Sequence, residues 1–271
     1  MCGRYAASAS PADLVEELGV ESDQTGGYLA PNYNLAPTHP APVVLEHAPR
    51  EDKGAPPVRQ LRVLTWGLVP SWAKDPGVGS RMINARAESL LEKPAYRRAA
   101  LTRRCLVPAD GWYEWQTSPI ALDAKGKPRK QPFFTHLADG GRLAFAGVFE
   151  FWRDPQRSDD DPLAWRTTYA IVTTEAESGL DRIHDRMPVV LAPDRWDAWL
   201  DPGVDDADQV RALLAPVSPG RFAAYPVGRR VGNVANTGPS LLEPASPDEL
   251  EGVVDPTTGE VISAAGGPVS E

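Results

Sequence analysis

The chain reads as an α+β protein, a strand-rich body carrying a few short helices. Three observations predict this. Short runs rich in β-branched and aromatic residues recur along the sequence, bounded by Gly, Pro and Asp. Helical periodicity is confined to brief segments with their own start and stop signals. Strands and helices do not alternate regularly, which argues against a doubly wound parallel sheet.

Taken in order, an opening strand is followed by a helix that Ser10 caps and Pro11 begins. Leu14, Val15 and Leu18 fall on one face of it and Gly19 ends it. Strands are expected at 41–45, 61–69, 105–107 leading into 111–115, 133–137, 143–152, 168–173 and 222–227. Helices are expected at 87–91, 95–100, 193–200 and 207–213. Segments 47–58, 117–130 and 153–163, rich in Pro, Gly and charge, read as surface loops. Residues 245–271 lack apolar periodicity and read as an acidic flexible tail, leaving 1–244 as one domain. No internal repeat emerges.

A chain of 271 residues with 42% hydrophobic and 24% charged content has ample material for a core. It has no basic leader followed by an apolar stretch and no run of about 18 apolar residues, so a cytoplasmic protein without a membrane span is expected. The two cysteines, Cys2 and Cys105, form no CxxC pair and can build neither a disulfide framework nor a cysteine-rich zinc site. No metal or other cofactor is expected. The net charge of -9 is unevenly spread. Residues 59–104 hold ten Lys or Arg against three acids, whereas 241–271 hold seven acids and no base. Arg59, Arg62, Arg81, Arg86, Arg97, Arg98, Arg103 and Arg104 therefore suggest an anion-binding face. For Arg97, Arg98, Arg103 and Arg104 alone, an ordinary solvated helix face explains the pattern as well.

Cys2 is the most reactive feature. Removal of Met1 before this small residue places an α-amine and a thiol on one residue. The amine, which in an unstructured peptide titrates at about 7.7 to 8.0, is substantially neutral near physiological pH, and a neighbouring base can activate the thiol. Such an aminothiol suits both amide hydrolysis and capture of an aldehyde. Elsewhere, Glu114 lies between Tyr113 and Trp115. It reads either as an outward carboxylate of a strand or as an acid whose pKa its aromatic neighbours raise for proton transfer. His184, between Arg182 and Arg186, is either a satisfied structural histidine or a site residue. Asn84 can simply cap the helix starting near Arg86.

Together these segments resemble the SOS-response-associated peptidase family. The resemblance rests on Cys2-Gly3-Arg4-Tyr5, Tyr33-Asn34-Leu35-Ala36-Pro37, Trp66-Gly67-Leu68-Val69-Pro70-Ser71-Trp72, Ile83-Asn84-Ala85-Arg86-Ala87-Glu88, Gly111-Trp112-Tyr113-Glu114-Trp115 and His184-Asp185-Arg186-Met187-Pro188, in that order. Val231-Gly232-Asn233-Val234 matches the closing signature. The resemblance implies a single compact domain with a barrel-like core and covalent crosslinking to abasic sites in single-stranded DNA as part of the DNA damage response. Single-stranded regions and junctions at replication forks would be the partners of a monomer, associated with the nucleoid when bound.

It also implies roles. The Cys2 amine would form a Schiff base with the sugar aldehyde, and its thiol would close a thiazolidine. Glu114 would shuttle protons, His184 would assist ring opening and reversal, and Asn84 would orient the amine or the opened sugar. Arg4, Arg86 and Arg186 would hold the DNA backbone, Trp72 would stack on a base, and Pro37 and Thr173 would line the groove. Trp72 alone also reads as a core residue, as Trp66 does. Self-cleavage before Cys2 and an abasic-site lyase side activity fit the same residues. The alternative class is an N-terminal-nucleophile amidohydrolase of the glutamine amidotransferase type. Arg4-Tyr5 and the lack of a convincing downstream Asn-Gly segment count against it.

Overall fold

The structure is a computed structural model that describes residues 2 to 262 except 28, 49–53, 159, 162, 217 and 218. In chain order its elements are β1 (Tyr5–Ala7), α1 (Pro11–Glu17), β2 (Ser22–Asp23), β3 (Asn32–Leu35), β4 (Pro40–His47), β5 (Val58–Trp66), β6 (Asn84–Arg86), α2 (Pro94–Thr102), β7 (Arg104–Ala109), β8 (Gly111–Leu122), β9 (Pro128–Leu137), β10 (Leu143–Arg153), β11 (Trp165–Glu175), β12 (Arg186–Pro188), α3 (Trp196–Leu200), α4 (Ala207–Leu213) and β13 (Phe222–Pro226). The α+β reading holds.

Strands β5, β4, β7, β10 and β11 close into a five-stranded barrel. Four of the contacts are antiparallel, and β11 completes the ring by pairing with β5 in parallel, Tyr169 opposite Trp66. A second sheet runs β13-β9-β8-β1-β3. The two-residue period of the barrel strands sorts their side chains into two apolar layers. Val43, Leu45, Cys105, Val107, Phe145, Phe149, Tyr169 and Ile171 pack with Tyr5 and Trp112 of the second sheet. Val44, Leu106, Ala144, Ala146, Val148, Ala170 and Val172 form the other layer, beneath Leu14, Tyr96, Trp199 and Val210 of the helices. Three alanines in that layer let the helices approach closely.

Local chemistry explains the elements that the sequence predicts well. Ser10 and Asp13 form a reciprocal capping box on α1, Pro11 opens the helix, and Gly19 leaves it with φ +62°. The strand expected at 61–69 stops at Trp66, because Gly67 turns the chain at φ +123° and its α-carbon faces the Gly79 carbonyl too closely for any side chain. Gly111 opens β8 under equal constraint: a Cβ there would lie 2.3 Å from Phe134 Cζ and 2.5 Å from the Thr135 carbonyl.

Other expectations are corrected. The segment 87–91 makes only a 3-10 turn, Ala87–Ser89. Most of the loop expected at 117–130 belongs to β8 and β9, a long hairpin closed by a short turn around Gly126. Of the loops expected at 47–58 and 153–163, residues 49–53, 159 and 162 lie outside the described residues. The flexible tail expected from 245 is instead packed as far as residue 262. Val253 is buried against Phe133 and Ile183, Gln116 bonds the Val254 main chain through both ends of its amide, and Ser118 donates to the Gly252 carbonyl. Residues 263–271 lie outside the described residues. The segment lacks periodicity because polar side chains of β8, rather than an apolar stripe, hold its backbone. Among the described residues, no helix is long and apolar enough to cross a membrane.

Candidate functional site

The site forms where the first residues of the chain run between the barrel and the second sheet. Tyr5 pairs with Trp112, and the Tyr113 N–H donates to the Arg4 carbonyl at 2.9 Å. The same register carries Cys2 and Gly3 alongside Glu114. Cys2 is wholly buried, and Asn84 on β6 donates its amide to the Cys2 carbonyl at 2.7 Å. Asn84 is itself placed by the parallel pairing of β6 with β11, Asn84 opposite Ile171 and Arg86 opposite Thr173. A small cavity beside these groups is lined by Trp112, Glu114, Thr135, Ile183, His184 and Met187. Cys2, Asn84, Glu114 and His184 thus converge from four separated segments.

Burial raises the Cys2 thiol pKa well above its ordinary value, and the nearby Glu114 carboxylate adds to the rise. The resting group is therefore the thiol, not the thiolate. Burial also pushes Glu114 up to about 7, against the lowering influence of the amino-terminal ammonium. Both protonation states of Glu114 are then populated at neutral pH, as proton transfer requires. The reading of Glu114 as an outward carboxylate is corrected, because β8 turns it toward the barrel.

His184 Nδ1 accepts the Arg186 backbone N–H at 3.0 Å and lies 2.8 Å from Asp185 Oδ1. Partial burial, helped by the positive charges of the amino terminus and Lys130, lowers its pKa despite Asp185, whose side chain is mostly exposed. The ring is neutral at physiological pH.

Residues expected at the DNA divide into two groups. Trp72, at 67% exposure, and Arg86 are open to solvent, and Pro37 is half-buried. Trp66 is core, its indole N–H bonded to the Ile83 carbonyl. Thr173 is fully buried, and its hydroxyl oxygen has no partner among the described residues; Asn84 Oδ1 is in the same state. Arg4 donates from Nη1 to Asn34 Oδ1 at 2.6 Å and to the Val231 carbonyl at 2.9 Å, with its guanidinium over the Trp115 ring. Asn34 also bonds the carbonyls of Asn233 and Asn236, so Arg4 and Asn34 together fix the segment 231–236.

Arg186 is only 8% exposed. It makes a two-point ion pair with Glu88, at 2.7 and 2.9 Å, and donates to the Thr173 carbonyl at 2.7 Å. Its side chain ties the short strand β12 to β11 while its backbone N–H orients His184. Sequence reasoning misses Glu88. The only signal for it is its place in the same motif as Asn84 and Arg86. Removing it leaves a buried guanidinium short of its counter-ion, so Glu88→Ala is expected to cost about 1–2 kcal/mol, a value reduced for Glu88's partial exposure. A denaturant midpoint unchanged from wild type would refute this.

The basic stretch does not form one face. Arg104 is buried and donates to the carbonyls of Ala100, Leu101, Trp199 and Asp201, closing the ends of α2 and α3. Arg103 pairs with Glu150, and Arg59 with Glu46 and Asp197. Arg97 and Arg98 are exposed on α2.

A family model described as SOS response associated peptidase (SRAP) matches residues 1–234. The chain belongs to the SRAP family. An abasic site processing protein of Bacillus subtilis, YoqW, is 35% identical over 243 residues, covering 90% of this chain and 99% of its own. Another, HMCES of Gallus gallus, is 30% identical over 276 residues, covering 90% of this chain and 78% of its own. Among solved structures, a Bacteroides thetaiotaomicron protein has a TM-score of 0.73 at 23% identity, covering 90% of this chain and all of that one. A phage-related protein of Bordetella bronchiseptica has a TM-score of 0.59 at 30% identity, covering 83% and 94%. The SRAP assignment accords with the convergence of Cys2, Asn84, Glu114 and His184, each of which lies in a segment that carried the sequence resemblance.

Proposed function

We propose that this protein processes abasic sites in single-stranded DNA by joining the Cys2 aminothiol to the sugar aldehyde as a thiazolidine. The relatives named abasic site processing proteins support the general activity. The observation that carries the finer reading is Glu114, a buried acid with a pKa of about 7 in electrostatic contact with Cys2. Amide hydrolysis by a cysteine nucleophile gains from a lowered thiol pKa, and here it is raised. An amine-first reaction tolerates a protonated thiol.

The chemistry balances with the groups present. Once Met1 is removed, the neutral Cys2 amine adds its lone pair to the aldehyde carbon, giving a carbinolamine. Glu114 in its acid form donates a proton to the departing hydroxyl, so water leaves and a C=N bond forms. The Cys2 sulfur then adds to the carbon of this protonated imine while the thiol proton passes to the Glu114 carboxylate, leaving a neutral ring N–H and Glu114 again in its acid form. The net reaction is aldehyde plus aminothiol giving thiazolidine plus water. Asn84 fixes the Cys2 backbone beside Glu114. The neutral ring of His184 hydrogen-bonds the sugar, which favours the open aldehyde form. Trp72 stacks on a neighbouring base and Arg86 contacts a phosphate, whereas Arg4 and Arg186 act by bracing the walls of the site.

The test is incubation of the purified protein with single-stranded DNA carrying one abasic site, followed by denaturing gel and peptide mass analysis. The expected product is a heat-sensitive adduct on the Cys2 peptide, with a mass equal to the sum of both components less one water. Glutamine hydrolysis without such an adduct would overturn the reading.

A further inference from the structure

The hairpin formed by β8 and β9 extends well beyond Glu114, and its far end lines a second, separate cleft. This cleft, of about 540 Å³, is bounded by Thr117, Asp123, Lys127, Pro128, Arg129, Lys130 and Arg229. Four cations around one recess are unexpected in a chain of net charge -9.

Two acids share the recess with these cations, Asp123 held by the hairpin turn and Glu249 paired with Arg229. Asp123 Oδ1 accepts the backbone N–H groups of Lys125 and Lys127 and so closes the hairpin turn. Glu249 accepts from Arg229 Nε at 3.1 Å at the rim. Arg129 donates from Nη2 to the main-chain carbonyls of Glu249 and Glu251, which are neutral acceptors, so its charge is not compensated by them. Its Nε is buried with no partner among the described residues. Lys127 and Lys130 are exposed.

The cleft adjoins the catalytic site. Thr117 pairs with Lys130 only three residues along β8 from Glu114, a span of about 10 Å. The charge of Lys130 also reaches His184. Thr117 and Lys130 project from the face of the hairpin opposite Glu114, so a strand whose lesion lies at Cys2 would meet these cations by crossing the hairpin edge a few nucleotides away.

We propose that this cleft is a second anion site, in which Lys127, Lys130 and Arg229 hold backbone phosphates of the DNA strand flanking the lesion. Arg129 is the fixed wall of the site, because its bonds to the 249–251 backbone hold the cleft open. This inference rests on the abasic-site reading above. Contacts of this kind attract any sequence, as a lesion-directed protein requires.

The test compares wild type with a variant carrying Lys127→Gln, Lys130→Gln and Arg229→Gln, which change exposed side chains and leave Arg129 intact. Affinity is measured across a salt series for a long abasic oligonucleotide and for a short one confined to the lesion. With about 0.7 counterion released per phosphate contact on a single strand, the log-log salt slope on the long oligonucleotide is expected to fall by about 2. Affinity for the short oligonucleotide is expected to remain at the wild-type value. Equal slopes for the two proteins on the long strand would overturn the proposal, including the case in which the cleft takes only a free phosphate compound. Equal weakening on both oligonucleotides would also overturn it, because the cations would then act on the lesion pocket itself. Failure of the wild type to form any adduct or to bind DNA at all would instead remove the abasic-site reading on which it rests.

Discussion

The Glu114→Gln variant is expected to form the DNA adduct about 10²- to 10⁴-fold more slowly than wild type, and to be the more stable protein above pH 7. Both effects have one cause. Burial raises the Glu114 pKa to about 7 from an ordinary value of 4.5. A carboxyl with a raised folded-state pKa contributes stability that is fully present below pH 4.5 and is lost as the pH rises through 7. The uncharged Gln side chain has no such loss. The stability difference in favour of the variant therefore opens between pH 4.5 and about 8 and reaches about 3 kcal/mol at its plateau. Chemical denaturation at pH 4.5, 6 and 8, alongside single-turnover adduct formation, measures both effects. A stability difference independent of pH would show that Glu114 titrates normally, and the proposed proton shuttle would lose its basis.

The same tension between stability and chemistry explains how much of this protein was legible in its sequence. The helices and most strands were readable because their causes are local: the Ser10 and Asp13 cap, the Pro11 start, the β-branched runs of β10 and β11. Closure of the barrel was not local. It depends on the parallel pairing of Tyr169 with Trp66, residues about a hundred positions apart that no periodicity connects. The hairpin arms at 117–130 were misread because Pro119 and the charges around Gly126 mimic a loop. In fact β8 buries Gln116 and Ser118 against the 252–254 backbone with hydrogen bonds, so its inner face is polar.

The site shows the same division. Reactive residue types in distinctive motifs pointed to Cys2, Asn84, Glu114 and His184, and these converge. Arginines were harder to read, since a guanidinium serves a phosphate, a carboxylate or a carbonyl equally well. Arg186 met Glu88 and Thr173, Arg104 met the ends of two helices, and only Arg86 among the three backbone-contact candidates stands exposed.

The Cys2→Ala variant, with Met1 removed, is expected to lose the heat-sensitive adduct completely while retaining an imine that borohydride can trap. Alanine keeps the α-amine and a small side chain, so the first half of the reaction survives. The amine still adds to the aldehyde, Glu114 still delivers the proton that releases water, and reduction of the C=N bond by the added hydride fixes a secondary amine. Without the sulfur no ring closes, and water returns the imine to its components before denaturation. Cys105 cannot replace the missing thiol. It is fully buried, burial raises its pKa well above the ordinary value, and its sulfur packs close to Gly147 within the barrel. Parallel gels with and without borohydride, for wild type and variant, separate the two halves of the mechanism. A stable adduct in the Ala variant without reductant would show that the α-amine or another residue suffices, and the thiazolidine would be wrong. Absence of a trapped imine as well would place the sulfur, rather than the amine, at the first bond formed. The protonated state of the buried Cys2 thiol predicts against that outcome.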